Sequence, residues 1–549
     1  MFRKILFTTV LFSLFLFTAN AQIKIGENSV LTGSLQTDNL VEDKLMDNTY
    51  LDLNFTSNHI QAGMRLEYLQ YPLPGYESEF KGYGLGNIFV TGKFKKLEVT
   101  VGSVYDQFGS GLIFRTYEEK SMGIDNSLMG GRIKFQPYKG VSLKALGGKQ
   151  RRYFKFNEGY VLGGDVELNI EEWIKKLQEN NVYWSWGGSF VSKNEKQEYR
   201  ISEIIPDIIP DMPIDSFSVY RYNFPENVGA FDFRTHFQKD NVNVLLEYAI
   251  KSQDPSFNNN YTYKRGNASL MSVSYSKKGL TALIQAKRSE NMSFRSKRSQ
   301  DGISSFINHL PSFTTQQTYA LAALYPYATQ PMGEWAFQGD FSYTFKRKTV
   351  LGGKYGTLLR LNVSHIRAVD TCSYFKMGET LYYQDINLNI DKKISNRFKL
   401  NGMYMFQKYN PRVIVGHDED LITSHIFVAE GKYTINNKLT LRSELQYLHA
   451  SEYAGSEEVE PGDRSNQGDW VFGLVELSVA PSLMFAVQDN YNLGVTKEHY
   501  YMASVVYTKK SHRLQLGFGK TRAGFDCSGG VCRFVPATKG LRLSYNYQF

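Results

Sequence analysis

Apolar and polar residues alternate one by one along most of this chain, and a period of two predicts strands whose successive side chains face opposite ways. Val242, Val244, Leu246, Tyr248 and Ile250 share one face, with Asn243, Glu247 and Lys251 on the other. Trp335, Phe337, Phe341, Tyr343 and Phe345 stand opposite Gln338, Asp340, Ser342 and Thr344. Leu439, Leu441, Leu445 and Tyr447 stand opposite Thr440, Arg442, Glu444 and Gln446. One apolar and one polar face, repeated strand after strand, is the pattern of a barrel wall between lipid and lumen.

Two kinds of connection take turns between these runs. Lys95-Lys96, Tyr138-Lys139-Gly140, Lys277-Lys278-Gly279, Asn436-Asn437-Lys438, Ala480-Pro481-Ser482 and Lys509-Lys510-Ser511 are short. Residues 106–127, 193–226, 289–331, 409–420 and 449–468 form long connections that read as polar and irregular. Short periplasmic turns and long external loops are the asymmetry of an outer-membrane barrel, and a soluble sandwich does not predict it. Tracing up and down places strand starts near residues 28, 49, 60, 86, 97, 128, 141, 158, 182, 227, 242, 267, 280, 332, 357, 380, 397, 421, 439, 469, 483, 498, 512 and 540. The expected fold is therefore an all-β, antiparallel up-and-down transmembrane barrel of about 24 strands, within a range of roughly 20 to 26, with both termini periplasmic and no plug domain.

One short-side connection departs from this. Glu171 to Asn180 reads as a short helix carrying Trp173, Ile174 and Leu177 on one side, either an interfacial anchor or a docking point for a periplasmic partner.

The chain closes on an alternating strand, with Leu541, Leu543, Tyr545, Tyr547 and Phe549 on one face and Arg542, Ser544, Asn546 and Gln548 on the other. A final strand of this kind ending in Phe resembles the signal by which barrel-insertion machinery recognises its clients. At the other end, Arg3 and Lys4 precede an apolar run from Ile5 to Phe17 and the small-residue site Ala19-Asn20-Ala21. This predicts a signal peptide over residues 1–21, with Gln22 the first mature residue and 22–549 the barrel. The run is too short for a spanning helix, and mean hydropathy is -0.37.

The formal net charge of +9 is interspersed with acids, which argues against nucleic acid as a partner. Of three cysteines, Cys527 and Cys532 bracket Ser-Gly-Gly-Val, a segment that turns back on itself, and an exported chain favours a disulfide there. A zinc site would need further ligands. Cys372 is left as a lone thiol.

The segment from Tyr105 to Lys120, Tyr-Asp-Gln-Phe-Gly-Ser-Gly-Leu-Ile-Phe-Arg-Thr-Tyr-Glu-Glu-Lys, and the tail Cys527 to Phe549 resemble an uncharacterised family of Bacteroidota outer-membrane barrel proteins. The likeness runs over nearly the whole mature chain. It implies fold and address, and no activity.

A barrel of this size encloses more space than its inward side chains fill, and water, inward loops or another protein must occupy it. Only about six residues separate Gln22 from the first strand, which leaves no room for an N-terminal plug. Arg65, Glu67, Arg132, Lys134, Asp165, Glu167, Asp232, Arg234, Asp340, Arg360, Arg442 and Glu444 make the inner wall mixed in sign, suited to a hydrated lumen or a paired network. Loop 106–127 is the candidate constriction through Asp106, Arg115, Glu118, Glu119 and Lys120, with a solvated external loop as the plainer reading. Lys287, Arg288, Arg295, Lys297 and Arg298 cluster where loop 289–331 begins, to bridge lipopolysaccharide phosphates or simply to solvate a loop end.

Metal and catalytic signals are weak. Glu457, Glu458, Glu460 and Asp463 lack the spacing of a calcium loop, and His417 and His425 around Asp418, Glu419 and Asp420 form the one local cluster suited to a metal. No metalloprotease helix or nucleophile elbow occurs, so neither enzyme activity nor a cofactor is expected. Two functions stand nearly level: a porin-like channel or transporter for polar solutes, and a non-catalytic structural or interaction subunit of an outer-membrane assembly or secretion complex. The expected partners are outer-membrane lipid and lipopolysaccharide, the insertion machinery, and periplasmic or outer-membrane proteins.

Overall fold

A strand with one apolar and one polar face must bury its backbone hydrogen bonds against neighbours on both edges, and a ring of such strands leaves no edge exposed. The computed structural model shows that ring. It describes residues 23–26, 28–196, 202–206, 217–221, 223–300, 302–417, 420–451 and 467–549. The expected signal peptide, its cleavage site and the acidic run 457–463 lie outside them.

Twenty-four strands pair antiparallel in sequence order, and the last, Thr538–Gln548, pairs back onto the first, Ser29–Val41, to close the barrel. A short strand, Ile23–Gly26, adds to the start of Ser29–Val41. Each barrel strand begins within four residues of its expected position, the largest offsets being Leu45 against 49 and Gly82 against 86. Tight turns at one end use the left-handed region, as at Gly140, Asp240, Gly279 and Lys510. Long connections gather at the other end.

Burial inverts the pattern of a soluble protein. Leu66, Val90, Leu162, Phe233, Ile284, Leu445 and Val487 point outward and exposed, while polar neighbours on the same strands, such as Arg65, Glu67, Asp232 and Glu444, are buried inside. An apolar exterior with a polar interior suits hydrocarbon outside the wall. The expected helix near 171 is two short pieces, a 3₁₀ turn Ile170–Glu172 and a helix Lys175–Glu179, with Trp173 and Ile174 exposed between them.

The closing seam runs from Ser34 opposite Gln548 to Val41 opposite Leu541. Phe549 extends it by one pair: its carbonyl accepts from the Gly33 amide at 2.7 Å, and its amide donates to the Gly33 carbonyl at 2.9 Å. A Cβ on Gly33 would lie 2.3 Å from the Phe549 ring, so the ring occupies the space that only glycine leaves.

Candidate functional site

The lumen is where polar side chains of all strands converge, and its loop-end half is filled by the chain's own connections. The segment 291–332, between Leu280–Glu290 and Gly333–Phe345, turns inward and crosses the bore. Phe294, Ile307, Phe313, Leu321, Leu324, Tyr325 and Tyr327 are buried in one apolar core with Phe108, Leu112, Ile113 and Phe114 of the connection 105–127. Removing a large side chain of this kind from water contributes about 1.5–3 kcal/mol, which explains why these loops leave solvent.

Their backbones are joined as well. Arg115 N donates to the Ile307 carbonyl at 2.8 Å and His309 N to the Gly111 carbonyl at 2.9 Å. Asn308 Nδ2 donates to the carbonyls of Leu112 and Met292. On the far wall, Gln446 Oε1 accepts from Leu321 N, Gln407 Nε2 donates to the Tyr325 carbonyl, and the Tyr319 hydroxyl reaches Asn401 and Glu430.

Buried charges tie the segment to the wall and surround it: Lys287, Lys251 and Lys193 donate to the carbonyls of Pro311, Ser293 and Arg295. Lys287 Nζ stands 2.8 Å from a Glu334 carboxylate oxygen, both fully buried. Arg298 pairs with Glu195 at 3.1 Å, and Lys193 lies 2.8 Å from Asp254. Arg288 reaches Asn267 and Glu290, and Arg295 donates to the carbonyls of Gln300, Gly302 and Ser304. This corrects the reading of Lys287, Arg288, Arg295 and Arg298 as lipopolysaccharide contacts or a solvated loop end: all four are buried, with Lys297 half-buried among them. The expectation that loop 289–331 is polar and irregular is corrected as well, because it holds the apolar residues of the plug core. A long connection dense in Phe, Tyr, Leu and Ile was the signal available in the sequence.

Three of the five charges of the expected constriction find partners on the lumen wall, and the other two make contacts within their own connection. Asp106 meets Arg132 at 3.1 Å and Lys144 at 3.2 Å, Lys120 meets Asp52 at 2.9 Å, and Glu118 pairs with Arg65. Arg115 lies over the Tyr117 ring, and Glu119 accepts from the Ser121 hydroxyl. Arg65 also binds Glu67 and Asp125, and Arg151 binds both of those acids, so this wall is a paired network. The plainer reading of 106–127 as a solvated external loop is thereby overturned.

Below the plug the lumen stays accessible. Along Val242–Lys251, the inward Lys251, Ala249 and Glu247 are buried, whereas Leu245 and Asn243 are half-exposed. Along Leu439–Ala450, Leu448, Gln446 and Glu444 give way to half-exposed Arg442 and Thr440. Along Thr357–Val369, Ile366, Ser364 and Asn362 give way to an exposed Arg360. Among the described residues the barrel is thus a cup, closed at its loop end and open at its short-turn end.

Cys527 and Cys532 are joined, as expected, within the small hairpin 524–535. That hairpin sits on the plug: the Gly530 carbonyl accepts from Thr329 N at 3.0 Å, and a Cβ on Gly530 would meet Thr329 Oγ1 at 2.5 Å. Reduction, or Cys527→Ser, removes a constraint of about 2 kcal/mol on this small loop. Limited proteolysis checks the consequence: cleavage near residues 316–329 should speed up on reduction.

His309 lies in the plug beside the Tyr117 ring. Burial, reinforced by Arg115 and Lys287, holds its pKa down at about 3 against an ordinary 6.5. A depressed histidine binds its proton more readily when undocked. Its stabilising contribution is therefore present above about pH 6.5 and is lost as pH falls toward 3. Proteolysis of the plug should accelerate between about pH 6.5 and pH 4, and His309→Leu should flatten that dependence.

Among the described residues no three His, Cys, Asp or Glu side chains converge as metal ligands. His425 instead meets the Tyr404 hydroxyl at 2.9 Å, and Asp418 and Glu419 lie outside the described residues. Cys372 is a free, exposed thiol.

A family model described as "Family of unknown function (DUF6029)" matches residues 1–549. The chain belongs to this family. No curated protein matches it. Among solved structures it is similar to the siderophore receptor PirA from Pseudomonas aeruginosa, with 8% identity, a TM-score of 0.41, and coverage of 96% of this chain and 81% of that one. The P pilus usher PapC translocation pore gives 8% identity, a TM-score of 0.30, and coverage of 94% and 99%. A mutant of the Rh. blastica porin gives 11%, a TM-score of 0.26, and coverage of 60% and 93%. These scores are low, and the DUF6029 barrel stands on its own strand pairings.

Proposed function

We propose that this DUF6029 protein is an integral outer-membrane β-barrel that acts as a gated conduit for polar solutes, closed here by its own loops. The observation that carries this reading is the cup: the described obstruction consists of connections attached at the loop-end rim, and the wall beneath stays charged and accessible. In this reading residues 1–21 direct export, and the strand ending in Phe549 addresses the insertion machinery. Segment 291–332 is the gate. Loop 105–127, tied to the wall through Asp106 and Glu118, remains as the constriction when the gate withdraws. Arg115, Glu119 and Lys120 then supply charge of both signs for selection.

Planar-bilayer conductance of the purified protein tests this. Wild type is expected to be mostly closed, and a variant with residues 296–328 replaced by a short Gly-Ser linker is expected to show large, frequent conductance steps. A folded, inserted deletion variant that stays silent would refute the conduit.

The buried ion pairs favour a second reading, in which the plug is permanent and the protein is a non-catalytic interaction subunit. Breaking such pairs costs several kcal/mol, which opposes frequent opening. A stoichiometric partner retained in mild detergent, together with silence of the deletion variant, would select it.

A further inference from the structure

The two ends of the barrel differ sharply in charge. By sequence, the connections at the short-turn end hold thirteen Lys and Arg against four Asp and Glu. Those at the loop end hold eighteen against twenty-nine. Three of the four acids at the short-turn end lie in the single connection 170–181, so the rest of that rim is almost purely basic.

These bases are exposed at the tips of turns. Lys95, Lys278, Arg397, Lys438 and Lys510 have no ion-pair partner among the described residues. The connection 346–356 carries Lys346, Arg347, Lys348 and Lys354 around an apolar tip, where Val350 is 99% exposed. Large exposed side chains sit beside the bases: Phe94 before Lys95, Tyr138 before Lys139, and Trp173 before Lys175 and Lys176. Aromatics with Lys and Arg at the foot of a lipid-facing wall make a surface built for the headgroup layer.

From this arrangement we infer that the short-turn rim is a basic collar that binds the phosphates of anionic phospholipids in the leaflet around it. The inference rests on the outer-membrane reading above. Placement around the ring selects lipid over a protein partner. Strands follow one another in sequence order, so Lys95, Lys278, Lys346, Lys438 and Lys510 are spread around the whole circumference. A docked acidic protein needs a patch on one side, whereas a leaflet surrounds the barrel. Each base near an anionic surface adds attraction that salt screens.

The test uses the full-length protein in bilayers of phosphatidylcholine containing spin-labelled phosphatidylglycerol or spin-labelled phosphatidylcholine. The readout is the fraction of labelled lipid immobilised by the barrel. Wild type should hold phosphatidylglycerol several-fold over phosphatidylcholine, with the preference collapsing at about 1 M salt, where the Debye length is about 3 Å. A variant carrying Lys95→Gln, Lys278→Gln, Lys346→Gln, Arg347→Gln, Lys348→Gln and Lys510→Gln should insert normally and lose most of the preference. Equal association of the two lipids with wild type, or an unchanged preference in the variant, overturns the collar. So does a rim that retains an acidic soluble protein while showing no lipid preference. Failure of wild type to insert into neutral bilayers is a different result, and it would sink the membrane reading itself.

Discussion

Lys287→Met is expected to free segment 291–332 from the wall while the barrel stays intact. Lys287 and Glu334 stand on the neighbouring wall strands Leu280–Glu290 and Gly333–Phe345, and the ammonium, 2.8 Å from Glu334, also donates to the Pro311 carbonyl of the plug. Without the ammonium Glu334 keeps, among the described residues, the Tyr327 hydroxyl and the Gln330 amide but no ion-pair partner, and a carboxylate is left buried without its cation. Breaking a buried pair from one side costs about 3–5 kcal/mol, enough to shift the plug toward undocked forms. Protease cleavage within 291–332 and open-channel time should both rise, while the heat-modifiable band reporting the folded barrel should persist. Lys287→Met combined with Glu334→Met removes the unpaired charge and should recover part of the closure, short of wild type because the Tyr327 hydroxyl and the Gln330 amide lose their acceptor. A Lys287→Met protein as resistant and as silent as wild type would show that the pair does not anchor the gate.

Gly33→Val should act on the barrel itself. Its side chain would enter the space of the Phe549 ring, which also stacks near Tyr547 at 5.6 Å between centroids. The ring must swing out or the terminal pair must open. Overpacking of this kind costs about 1–3 kcal/mol, and here it falls on the seam that removes the last exposed edges. The folded, heat-modifiable fraction after refolding into lipid should fall markedly. Phe549→Ala placed on the Gly33→Val background should restore part of it, because the smaller residue vacates the contested space. If Gly33→Val folds as completely as wild type, the packing at this seam does not limit closure.

The seam and the plug also differ in how far the sequence announced them. Strand positions were legible because the alternation that encodes each strand is local: Val242 to Lys251 shows two faces without reference to any other segment. The disulfide of Cys527 and Cys532 was legible for the same reason, five residues apart around two glycines. The burial of Lys287 and Arg288 was not. Both sit near the end of a strand, where a solvated base and a plug anchor look alike until the partner is known. Glu334 lies across a connection of more than forty residues, and whether that connection turns inward is not written in any one stretch of it.

By itself, then, the sequence determined a barrel wall, its strand count, its two unlike ends and its closing strand, because a period of two and the placement of turns depend only on near neighbours. Only the tertiary structure decided that, among the described residues, the lumen is filled from the loop end and open from the other. That outcome depends on apolar residues of 105–127 and 291–332 finding each other across the bore, and on buried charges of the wall meeting partners far away in the chain.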